Sequence, residues 1–91
     1  MEIEQSQTKG ATFMEQGGKR IAEMTYSKAG SNLIIIDHTE VDESLKGKGI
    51  GKKLLLAIVE KARYENIKII PLCPFAKSIF NKDESLSDVL K

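Results

Sequence analysis

Residues 45 to 53 read Leu45-Lys46-Gly47-Lys48-Gly49-Ile50-Gly51-Lys52-Lys53, glycine alternating with larger residues and flanked by lysine. Glycine leaves main-chain amides bare, and amides in a turn that feeds a helix N-terminus bind phosphate oxygens. Two further residues carry chemistry of another kind. Cys73 precedes Pro74, a residue favoured at the first position of a helix. A thiol at a helix N-terminus has a lowered pKa and becomes nucleophilic, although a lone cysteine is often buried and inert. His38 is the single histidine, the residue type suited by its ordinary chemistry to act as a general base. As a structural residue it would instead bond Asp37 or Glu40.

The elements that position these residues follow from periodicity. Met1 to Gln5 suits a short edge strand. Ala11 to Glu15 and Lys19 to Ser27 are predicted as strands joined by a turn at Gln16-Gly17-Gly18. Leu33-Ile34-Ile35-Ile36 opens a strand running to Val41, and four apolar residues in a row predict burial on both faces. From about Gly49 to Glu65 the period becomes helical: Leu54, Leu55, Ile58, Val59 and Ala62 share a stripe. Ile67 to Cys73 reads as another strand and Phe75 to Asn81 as a short helix. The tail from Asp83 to Lys91 is expected to be one loose turn or irregular. Strand, helix and strand imply a right-handed parallel crossover, with ligands at the carboxyl ends of its strands. Whether His38 and Cys73 share a sheet face depends on register.

The glycine loop fails two familiar patterns. A Walker A loop would need glycine at position 46 and a hydroxyl residue at 53, and both are lysine. In a dinucleotide fingerprint the third glycine would come one residue later. What remains is a pyrophosphate loop of another kind, or a glycine-rich helix entry with solvated lysines.

Val41 to Gly51, followed by Lys52-Lys53-Leu54-Leu55, resembles the acetyl-CoA motif of the GCN5-related N-acetyltransferases (GNAT), Arg/Gln-x-x-Gly-x-Gly/Ala. Lys46, Gly49 and Gly51 stand at the matching positions, Lys46 departing from the usual Arg or Gln. With Ile36 to Val41 and Ile69 to Ala76, the chain is similar over about residues 11 to 82 to the very small, YjdJ-type branch of that superfamily. The resemblance implies an α+β fold in one minimal domain over residues 1–91. Its sheet would be mixed and mostly antiparallel, with one parallel β-α-β crossover and a short C-terminal helix. Acetyl-CoA or CoA is the implied cosubstrate, with no metal. Lys46, Gly47, Lys48, Gly49, Ile50, Gly51, Lys52 and Lys53 would hold its pyrophosphate. A main-chain N–H near Thr39 or Val41 would meet the thioester oxygen. Cys73 would be acyl acceptor or pocket thiol, and His38 the base toward an unknown amine or thiol. Wider relatives carry a general-acid tyrosine on the short helix, where this chain has Phe75 and Phe80. A non-catalytic acyl-CoA-binding module is the alternative.

Composition narrows the classes. Net charge is +1, which disfavours a nucleic-acid or anionic-membrane coat despite the local lysines. One cysteine permits no internal disulfide and, with no signal-like N-terminus, suits a reducing cytoplasm. No apolar run approaches the roughly 20 residues of a membrane span. One histidine and one cysteine form no recognisable metal set.

Overall fold

The structure, a computed structural model, describes residues Met1 to Lys91. Five strands form one sheet in chain order: β1 (Glu2–Gln5), β2 (Lys9–Gln16), β3 (Lys19–Lys28), β4 (Leu33–Val41) and β5 (Lys68–Pro71). Neighbours run antiparallel except β4 and β5, which are parallel. The β2–β3 hairpin turns on Gly17 and Gly18, with φ of 61° and 78°. Both signs are positive, as the tight hairpin turn requires, and glycine adopts them without steric cost.

Two α-helices pack on the sheet: α1 (Ile50–Glu65), the crossover between β4 and β5, and α2 (Pro74–Lys82), after β5. The expected stripe of α1 is buried in full, joined by Ile50 and Gly51. Asn66 ends α1 in the left-handed conformation, its N–H donating to the Ala62 and Arg63 carbonyls. Ala76 and Phe80 of α2 pack into the same core, with Ala22, Met24 and Tyr26 of β3, Ile34 and Ile36 of β4, and Ile69 of β5. These strand residues alternate along their strands and so lie on one sheet face.

That one-sided packing corrects the expectation for the central strand. Ile34 and Ile36 are buried, whereas Leu33 and Ile35 stay partly exposed. The apolar run is two residues of core face and two of a face that no helix covers. On that open face Phe13 is shielded by the Arg20 guanidinium, 3.9 Å from the ring centroid, and Arg20 pairs with Glu4.

The tail is also more ordered than expected. Glu84–Val89 forms a 3-10 helix that buries Leu86 and Val89. Arg63 of α1 grips Asp88 with two hydrogen bonds of 2.9 Å, and Leu90 makes a parallel bridge to Ile69. Long-range contacts supply the order that local pattern does not show.

A bulge decides where β4 presents its polar end. On β3, Thr25 faces His38 but Tyr26 faces Ile36, so Asp37 is an extra residue in β4. Beyond it the strand's parity is reversed.

Candidate active site

The loop between β4 and α1 begins with a capped 3-10 turn over Glu43–Leu45. Asp42 accepts from the Ser44 main-chain N–H at 3.0 Å and from its hydroxyl at 2.7 Å. Those bonds, the main-chain one foremost, hold the Asp42 carboxyl below its ordinary value. Gly47 and Gly49 then take φ of 79° and 72°. Gly49 is the N-cap of α1 and, lacking a side chain, offers no capping bond. The first helical bond from the loop is Lys53 N–H to the Gly49 carbonyl, 3.2 Å.

The free main-chain amides give the site its chemistry. Lys46 N–H donates to Glu43 and Lys48 N–H to Leu45. The amides of Gly47, Gly49, Ile50, Gly51 and Lys52 find no acceptor within the chain. Uncapped amides at a helix N-terminus also feel about half a unit of positive charge from the helix dipole. Of the residues expected to hold a pyrophosphate, Lys46 and Lys48 have their amides used by the turn.

These amides lie beside a cleft of about 590 Å³, within the usual range for small-molecule sites. Thr39, Glu40 and Val41 of β4 line one side; Leu45, Lys46, Gly47 and Gly49 of the loop and Ile50, Gly51 and Lys52 of α1 line another. Phe75 and Ile79 of α2 complete it. Gly51 lets α2 approach: a Cβ there would stand 2.3 Å from the Phe75 ring. Of the residues expected to hold a cofactor, Lys48 and Lys53 lie outside this lining. Lys46 and Lys52 are at its rim, near Glu43 (3.2 Å) and Asp83 (3.8 Å) respectively.

The cleft exists because the parallel strands part. The last β4–β5 rung is Ile36 with Pro71, after which Leu72 and Cys73 both donate N–H to the Ile36 carbonyl at 3.1 Å. From there β4 runs on to Val41 without β5 beside it. Asp42 N–H turns to Ile21 of β3, so strand alternation directs the Val41 N–H to the vacated edge.

Cys73 lies at the N-cap of α2, buried, with its Sγ 3.2 Å from the Thr39 hydroxyl. Burial pushes the thiol up. The Thr39 hydroxyl and the main-chain N–H groups of Ala76, Phe75 and Thr39 act against it, and the net result is a thiol below its ordinary value. The sulfur makes no full capping bond; the helix-start amides act on it through their dipoles.

His38 is elsewhere. It pairs with Thr25 on the open face, whereas Thr39 pairs with the buried Met24. Its imidazole is 63% exposed and stands 3.5 Å from Glu40. Register, on which a shared face for His38 and Cys73 depends, separates them: beyond the bulge His38 lies on the open face, whereas Cys73 belongs to the core face. Cys73 and Thr39 are brought together, and His38 is not.

The profile described as GCN5-related N-acetyl-transferase matches residues 11–89. The chain belongs to the GCN5-related N-acetyltransferases. Within this acetyltransferase family, a GCN5-like protein of Staphylococcus aureus, solved in solution by NMR, is 44% identical. The match covers 99% of this chain and 87% of that one, at a TM-score of 0.75. The ribosomal-protein-alanine N-acetyltransferase of Brucella melitensis biovar Abortus shares the fold at 17% identity and a TM-score of 0.67. It is matched over 85% of this chain and 62% of its own. Tetrahymena GCN5 does so at 15% identity and 0.67, over 85% and 51%. The chain thus spans about half to three fifths of those two larger GNAT proteins. No curated protein matches it.

The GNAT cleft also contains residues outside the expected site. Leu45, Phe75 and Ile79 line it. Phe75 and Ile79 are four apart on α2, one position before the buried pair Ala76 and Phe80. That spacing marks a second apolar stripe on the helix, a legible signal for a wall facing a ligand.

Proposed function

We propose that this GNAT chain transfers an acetyl group from acetyl-CoA to an amine or thiol acceptor. The observation that carries the reading is the set of unpartnered amides at Gly47, Gly49, Ile50, Gly51 and Lys52 beside the cleft. They form an anion cradle that fits a diphosphate, with Lys46 and Lys52 at its rim. Acetyl-CoA supplies an acetyl group already activated as a thioester. The parted strands leave a channel for the pantetheine arm, walled by Phe75 and Ile79, and the Val41 N–H is the donor for the carbonyl oxygen. Cys73, buried behind the cleft rather than among its lining residues, is the thiol next to the site, held under Thr39 at the start of α2. A base role for His38 is confined to an acceptor arriving at the open face.

Titration with acetyl-CoA, followed by backbone amide NMR shifts, tests the reading. The largest shifts are expected at Gly47 and from Gly49 to Lys52, with a second group at Val41. An unmoved loop at saturating acetyl-CoA would refute it. Intact mass after incubation, with and without amines, separates transfer from binding alone: acetylated amine or acetylated protein marks an enzyme. Bound but unconsumed acetyl-CoA marks the non-catalytic module.

A further inference from the structure

Among the groups around Cys73, one side chain has no part in holding a diphosphate. Thr39 pairs with Met24 on the core face, lines the cleft, and stands 3.2 Å from the Cys73 sulfur. Its inward orientation is not what strand alternation from Ile34 and Ile36 would give. The extra residue at Asp37 produces it, reversing parity between Ile36 and His38. No imidazole or carboxylate hydrogen-bonds the thiol: its side-chain partner is the Thr39 hydroxyl, and His38 pairs with Thr25 on the open face.

We propose that Thr39 is a positioning residue: its hydroxyl, turned inward by the bulge, orients the Cys73 sulfur at the mouth of α2. This rests on reading the cleft as the acyl-donor site. When the thiol is ionised, the Thr39 O–H donates to the thiolate, and the sulfur is kept beside the helix-start amides of Phe75 and Ala76. Burial alone would raise the thiol; Thr39 is the foremost of the groups that reverse this.

The test follows thiol ionisation directly, through the Cβ chemical shift of Cys73 as pH is raised, with no cofactor present. Thr39→Val is expected to raise the titration midpoint by about one pH unit, the scale of a hydrogen bond to a charged group. Thr39→Ser, which keeps the hydroxyl, is expected to titrate like the parent protein, and His38→Asn likewise. Thermal melts and amide spectra establish that each variant is folded, and Thr39→Ala substitutes for the valine variant if that one is not. An unchanged midpoint in a folded variant without the hydroxyl overturns the proposal. So does a serine variant that titrates like valine, or a His38→Asn variant with a raised midpoint. Because acetyl-CoA is absent, these outcomes are independent of the loop titration, so each reading fails separately.

Discussion

Gly49 separates what the loop does for the helix from what it does for an anion. It is the N-cap of α1 at φ 72°, and a Cβ there would meet nothing within 4 Å. In Gly49→Ala the only direct cost is the left-handed backbone, about 1–2 kcal/mol for a residue with a side chain. Each kcal/mol lowers Tm by about 4–8 °C in a domain of this size. Gly49→Asp carries a smaller backbone cost, since aspartate enters this region more readily than alanine. Its charge at the helix N-terminus adds about 0.3–1 kcal/mol of stabilisation. The aspartate variant should therefore melt no lower than the alanine variant. Anion binding should order them the other way. A carboxylate among the same bare amides repels a diphosphate charge. At about 6 Å and an effective dielectric near 20, each pair of unit charges costs about 2.8 kcal/mol, about a hundredfold in Kd. Calorimetric titration with CoA, beside melts of the free proteins, reads both quantities. Aspartate and alanine variants that bind CoA equally would refute the cradle.

Two other glycines are expected to differ sharply from each other. A Cβ at Gly10 would stand 2.3 Å from the Tyr26 ring, which is 1% exposed and donates its hydroxyl to Gln5 Oε1 at 3.1 Å. Gly10→Ala should cost about 1–3 kcal/mol by overpacking, seen in a lowered urea midpoint. Gly51→Ala meets Phe75 at the same 2.3 Å, but that ring is 42% exposed and can swing outward. Its stability should change less than that of Gly10→Ala, while CoA affinity changes with the displaced wall. For pH, the Asp88 carboxyl is held down by Arg63, Asp83 by the Ser85 hydroxyl and amide, and Asp42 by the Ser44 amide and hydroxyl. Folded values lie below unfolded ones, so this stabilisation is complete above the unfolded value and lost as pH falls through the folded values. The urea midpoint should hold down to about pH 5 and drop below about pH 4, with Asp88→Asn lessening the drop.

Local features were legible from the sequence for a physical reason. The glycine turn that feeds a helix and the stripe of α1 each depend on residues close in the chain. The order of the tail depends on Arg63 and Ile69, far from it in sequence, and local pattern could not reveal it. The placement of His38 is a different case, because it depends on strand register, and the polar pattern of the strand carries a signal for that register. Continuing inward from Ile34 and Ile36, a regular strand would turn His38 and Glu40 to the core and leave Thr39 and Val41 outside. Burying an imidazole and a carboxylate without partners costs several kcal/mol. One extra residue at Asp37 restores Thr39 and Val41 to the inner face and returns His38 and Glu40 to solvent. A change of parity in the polar pattern is therefore itself evidence for a bulge. In this chain the same change puts a hydroxyl against the thiol, directs His38 to the other face and helps define the wall of the cleft.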